Sequence, residues 1–140
     1  MQGKPVVKQV IYVSTQRVPF QRGALDQLLA AARQRNVANG ITGYLFYNGH
    51  RFLQALEGEG AAVDATLARI KNDERHYALV VLSERQITRR EFAEWSMGFE
   101  EQGFSTAGLL AAIEHATADA GANSRALFRT FVDASRVDAA

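Results

Sequence analysis

Two runs of residues, "ITGYLFY" at 41–47 and "RFLQALEG" at 51–58, stand on either side of Asn48-Gly49-His50. The β-branched and aromatic content of both runs suits strands. Asn-Gly between such runs is a strong signal for a hairpin turn. Side chains of a strand alternate between its faces, so Phe52, Gln54 and Leu56 share one side and Leu53, Ala55 and Glu57 the other. Apolar residues fall on both sides, as in a sheet covered on both faces. Gln54 then faces a core together with Phe52 and Leu56. A buried primary amide left unpaired costs roughly 1–3 kcal/mol per group, so Gln54 needs partners.

The remaining elements arrange themselves around that hairpin. "VVKQVIYVS" at 6–14 reads as a strand, followed by a loop with Pro19. In "LDQLLAAARQRN", Leu25, Leu28, Leu29 and Ala32 recur at helical spacing, and Asn39-Gly40 ends the helix. Gly58 and Gly60 precede a second helix, "AAVDATLARIKND", in which Val63, Leu67 and Ile70 share a face. A strand follows at 77–87, and Thr88 with Glu91 fits a capping box that predicts one short helical turn. "EWSMGF" reads as a last short strand. Two Ala-rich amphipathic segments, at 105–119 and 124–136, close the chain, split by Gly121-Ala122-Asn123.

This order predicts an α+β fold, a ferredoxin-like βαββαβ core with an extra short strand. The two C-terminal helices are expected to cover the sheet's other face or an edge. Their apolar residues, Leu109, Leu110, Ile113, Leu127, Phe128, Phe131 and Val132, are read as packing inward, with a partner or dimer surface as the alternative.

Composition removes several kinds of chemistry. The chain has no cysteine, which excludes disulfides, thiolate metal sites and cysteine nucleophiles. A net charge of +1 argues against direct nucleic-acid binding. No run approaches the ~20 apolar residues of a membrane span, and the N-terminus lacks the apolar core of a secretory signal. No membrane association and a cytoplasmic location are expected. His50, His76 and His115 are scattered without metal-ligand spacing. No dinucleotide fingerprint or nucleophile elbow occurs, so a hydrolase or dehydrogenase finds little support.

Three polar residues remain out of place: Tyr12 in the first strand, Gln54 inside the third, and Asn36 at the end of the first helix. The topology brings a phenol and two carboxamides toward one face. Either they satisfy one another within a core, or a planar, amide-bearing ligand lies between sheet and helices.

Five ordered motifs speak to that choice: "IYVS" at 11–14, "RNVANGITGYLFY" at 35–47, "FLQALEG" at 52–58, "RIKNDERH" at 69–76 and "RREFAEWSMGF" at 89–99. Together they resemble the BLUF domains, blue-light sensors using flavin. The resemblance runs from about Val7 to Phe99 and implies a flavin-binding domain at 1–100, with 101–140 as a helical cap of the same domain.

The resemblance implies a role for each matching residue. Tyr12 would be the electron donor and Gln54 the switching amide, with Trp95 and Met97 as the neighbours that respond to light. Asn36 would hold the flavin's polar edge, and Arg35 could reach its second carbonyl. Ile41, Phe52 and Ile70 would wall the ring, while Asp73, Arg75 and His76 would lie toward the ribityl-phosphate end. Where the family often has a serine, four residues before Asn36, this chain has Ala32.

The implied cofactor is FAD, with FMN as the alternative, and the implied function is blue-light reception without an enzymatic reaction. The expected output passes to an unidentified downstream protein or through homo-oligomerisation, since no second domain is expected after Phe99. The competing readings are a light-independent flavin-binding module and a small structural interaction domain.

Overall fold

The structure is a computed structural model. It describes residues 7–17, 23–47, 50–92, 98–101 and 121–139. The elements run β1 (Val7–Gln16), α1 (Ala24–Asn39), β2 (Thr42–Tyr47), β3 (Arg51–Gly58), α2 (Gly60–Lys71), β4 (His76–Ile87), β5 (Gly98–Glu101) and α3 (Ala122–Ala139). The strands form one sheet in the order β4-β1-β3-β2-β5. β4, β1, β3 and β2 pair antiparallel, whereas β5 joins β2 in parallel. This is the expected α+β, ferredoxin-like arrangement with its extra strand.

The alternation in the sequence sorts the core into two layers. Val10, Tyr12, Leu45, Phe52 and Leu56 meet Leu29 of α1 and Val63 of α2 on one side. Ile11, Tyr44, Phe46, Leu53 and Ala55 meet Phe128 and Phe131 of α3 on the other, with Phe92 filling between them. Helix α3 thus covers the face that α1 and α2 leave open. The other tail segment, 105–119, and the Asn48-Gly49 turn lie outside the described residues.

One sequence expectation changes. Residues 88–89 and 91–92 form bends rather than a helical turn, because both groups that Glu91 would give to the capping box, its N–H and its carboxylate, are engaged elsewhere. The Glu91 N–H donates to Glu57 Oε2 at 2.9 Å, and the Glu91 carboxylate accepts from Gly121 N–H at 2.8 Å. In the last strand the described residues are Gly98–Glu101; the earlier part of the "EWSMGF" reading falls in 93–97, outside the described residues.

Candidate functional site

Tyr12 and Gln54 are direct cross-strand partners on β1 and β3. Both point to the α1/α2 side and are buried, at 3% and 6% exposure. The Tyr12 hydroxyl donates a hydrogen bond to Gln54 Oε1. Burial pushes the phenol's pKa up, and the negative charge of Asp73 adds to that direction. Tyr12 therefore carries its proton throughout the ordinary pH range.

Asn36 reaches the same place from α1. Gly40, at φ 67°, ends the helix in the left-handed region that glycine tolerates. The Ile41 N–H returns to Asn36 O at 2.8 Å and the Gly40 N–H to Val37 O at 3.4 Å, a Schellman closure. These bonds fix the backbone of Asn36, whose side chain is 4% exposed. Arg90 secures the same turn by donating to Gly40 O at 2.8 Å and Thr42 Oγ1 at 2.9 Å.

Between the sheet and the two helices lies a cleft of about 580 Å³, well within the size of small-molecule sites. Leu28 and Leu29 of α1, Leu45, Phe52 and Leu56 of the sheet, and Ile70 of α2 supply apolar walls. Tyr12, Gln54 and Asn36 supply polar groups, and Arg35, Arg69, Asn72, Asp73 and Arg75 contribute a polar, mostly cationic set. Arg75 is steered by Asp73, with Nε donating to Oδ1 at 2.9 Å and to Oδ2 at 3.0 Å.

Most of the residues singled out from sequence line this one cleft: Tyr12, Gln54, Asn36, Arg35, Phe52, Ile70, Asp73 and Arg75. Ala32 lines it as well. Ile41 does not. It is a core residue, 1% exposed, set so closely under Gly58 that an added Cβ there would come within 2.9 Å of Ile41 Cδ1. His76 begins β4, but its side chain lies outside the described residues, as do Trp95 and Met97 entirely.

The sequence reading passed over Thr66 and Arg69, which also line the cleft. Their signal was present: Thr66, Arg69, Ile70 and Asp73 recur at three- and four-residue steps, one stripe along α2 and its exit.

A family model described as sensors of blue-light using FAD matches residues 7–98. The chain belongs to the BLUF family. The alpha subunit of a photoactivated adenylate cyclase from Euglena gracilis is 31% identical over 97 residues, covering 68% of this chain and 10% of that protein. The blue light- and temperature-regulated antirepressor BluF of Escherichia coli (strain K12) is 33% identical over 73 residues, 52% of this chain and 18% of its own length. This BLUF chain thus corresponds to a minor part of those relatives.

Among solved structures, BlrP1 of Klebsiella pneumoniae, described with FMN and cyclic diGMP, is 29% identical with a TM-score of 0.79. That match covers 91% of this chain and 34% of BlrP1. The dark-state structure of BlrB, a BLUF protein, is 29% identical with a TM-score of 0.73, covering 94% of this chain and 99% of BlrB.

BLUF proteins are blue-light sensors that bind flavin, and this chain is one of them. Its cleft fits the cofactor chemically. Apolar walls suit the flat faces of the ring, Asn36 offers a donor and an acceptor to its imide edge, and the arginines suit phosphate. Among the described residues, no helix is long and apolar enough to cross a membrane.

Proposed function

We propose that this BLUF domain signals through the Tyr12–Gln54 pair, without catalysing a reaction. The observation that carries this reading is the hydrogen bond from the Tyr12 phenol to Gln54 Oε1, made on the wall of the cleft. A bound flavin supplies absorption of blue light and an excited state that accepts an electron. Tyr12 would give up an electron, and its proton would pass along the hydrogen bond to Gln54 Oε1. The two ends of the Gln54 amide have opposite polarity, so turning or tautomerising it exchanges a donor for an acceptor toward the ring. The two arrangements need differ by only a few kcal/mol. With the electron and proton back on Tyr12, the amide would stay in its second arrangement, and its relaxation in darkness would restore the first.

Asn36 orients the ring by holding its imide edge, with Arg35 beside it. Phe52 and Ile70 exclude water from the ring's faces. Arg69, Asp73 and Arg75, with His76, serve the ribityl-phosphate end, and contacts at this open end suit FAD and tolerate FMN. Trp95 and Met97 are proposed as the neighbours that respond to Gln54. Residues 1–100 act as the flavin-binding part and 101–140 as its helical cap. Output passes to a separate protein or through self-association, in the cytoplasm, with no direct contact to nucleic acid or membrane. The relatives whose names describe a cyclase support the idea that such a domain governs other machinery.

Visible spectra in darkness, under blue light and during recovery test the reading. A flavin spectrum that moves slightly to the red and returns is expected. A flavin spectrum that does not move would overturn the switch and leave a light-independent binder.

A further inference from the structure

On the face of the sheet opposite the cleft, a charged cluster is buried between β1, β3, β4 and α3. Gln9 and Glu57, both 0% exposed, are cross-strand partners on β1 and β3. They stand three residues from Tyr12 and Gln54 on the same two strands. Gln9 Nε2 bridges two carboxylates, donating to Glu57 Oε2 at 2.8 Å and to Glu91 Oε1 at 2.7 Å. Glu57 also accepts the backbone N–H of Glu91 at 2.9 Å and of Phe92 at 2.8 Å. Arg85 of β4 donates to Gln9 Oε1 at 2.6 Å and to Glu91 Oε1 at 3.3 Å.

The same Glu91 carboxylate holds the start of α3. It accepts the Gly121 N–H at 2.8 Å and the hydroxyl of Ser124, which is itself 0% exposed. The fit at Gly121 is close: an added Cβ would lie 2.6 Å from Glu91 Oε2, so the carboxylate would have to shift. The neighbouring Arg90 grips Gly40 O at the end of α1, four residues from Asn36. Residues 90–92 therefore fasten to the helix that carries Asn36, to the strands that carry Tyr12 and Gln54, and to the start of α3.

We propose that Glu57 and Glu91 are positioning residues that couple the cleft to α3. Gln9 and Glu57 ride on β1 and β3, so a change in the pairing of Tyr12 with Gln54 that shifts one strand against the other distorts the Gln9–Glu57 contact on the reverse face. Glu57 passes the distortion to the Glu91 and Phe92 amides, and Glu91 passes it to Gly121 and Ser124. The first turn of α3 loosens as a result. The mechanism rests on the light-sensing reading above and adds to it a route through the sheet.

The test is amide hydrogen exchange of the full chain with FAD bound, in darkness and under continuous blue light. Visible spectra are recorded on the same samples. In the unaltered protein, illumination should speed exchange in residues 121–131 while the flavin bands move red. Glu57→Gln and Ser124→Ala should keep the bound flavin and the red shift. In darkness, however, their exchange in this stretch should already be faster by about tenfold, the factor that one lost hydrogen bond of ordinary strength gives. The contrast between light and dark there should collapse. A variant that keeps both the red shift and the full contrast overturns the proposal, as does an unaltered protein that shifts red with no change in 121–131. Should Glu57→Gln fail to fold, Ser124→Ala decides the matter, because it deletes one hydroxyl and leaves the sheet side of the cluster intact. Absence of any red shift in the unaltered protein defeats the light-sensing reading itself, and this coupling with it.

Discussion

Phe128 of α3 meets Phe46 of β2 edge to face, with ring centroids 5.0 Å apart. Phe92 completes the group, its centroid 5.7 Å from that of Phe128. Both Phe46 and Phe128 are 0% exposed, so α3 seals its face of the sheet through this contact. Phe128→Ala should cost about 3–5 kcal/mol, the usual price of truncating a buried phenylalanine. Urea unfolding followed by far-ultraviolet circular dichroism at saturating FAD checks it; a loss below about 1 kcal/mol would mean that α3 does not depend on this contact.

At the cleft, Gln54→Leu should retain flavin and abolish the red shift, because leucine offers no polar ends to exchange. Tyr12→Phe should do the same by removing both the donor's hydroxyl and its proton. Difference spectra before and after blue light read the result, and a shift of normal size in either variant contradicts the assigned roles.

The phenol of Tyr12 adds a dependence on alkaline pH. Its pKa is raised by burial in the folded protein, so the stability linked to it is complete below the ordinary phenol value of about 10 and is lost as pH rises beyond it. The red shift should keep its amplitude up to that pH, and stability should start to fall above it. Loss of the shift well below this point would show an exposed, ionising phenol.

Glu57 and Glu91 should behave oppositely in acid. Burial raises the pKa of Glu57, chiefly by disfavouring its charge, against the opposing pull of the Phe92, Glu91 and Gln9 donors. For Glu91, burial also acts upward, but hydrogen bonds from Ser124, Gln9 and Gly121, with the Arg85 charge, outweigh it and hold the pKa low. The stability linked to Glu57 is therefore complete below the ordinary carboxylate value of about 4.3 and is lost as pH rises through its folded value. That of Glu91 is complete above about 4.3 and is lost as pH falls. In urea titrations across this range, the cost of Glu57→Gln should shrink with rising pH and that of Glu91→Gln should grow. Parallel profiles would refute the assignment.

Arg69 projects from α2 into the cleft's cationic end. Arg69→Ala should weaken FAD about tenfold, as expected for losing one charge-assisted hydrogen bond, and leave the red shift of the bound fraction unchanged. Fluorescence titration of FAD measures the affinity; an unchanged dissociation constant removes Arg69 from the site.

Much of the cleft was legible because it depends on local rules. Alternation along β1 and β3 decides that Tyr12 and Gln54 face the same way as Val10 and Leu56. Gly40, following a helical stripe, ends α1 where Asn36 can turn inward. Arg69 escaped notice because an arginine on an amphipathic helix looks the same in sequence whether it meets solvent or a cleft.

By itself the sequence determined the order of the elements, the two-sided burial of the sheet, and the phenol and amides that line the cleft. Each follows from periodicity or from a motif read over a few adjacent residues. Only the tertiary structure decided the fate of Glu57, Gln9 and Glu91. Gln9 lies 48 residues from Glu57 and 82 from Glu91, and alternation says which face a side chain takes but not what covers that face. A carboxylate can be buried only where donors converge on it, and here they come from β1 and from the backbone at residues 91 and 92. Distant parts of the chain supply those donors, so no local pattern announces them.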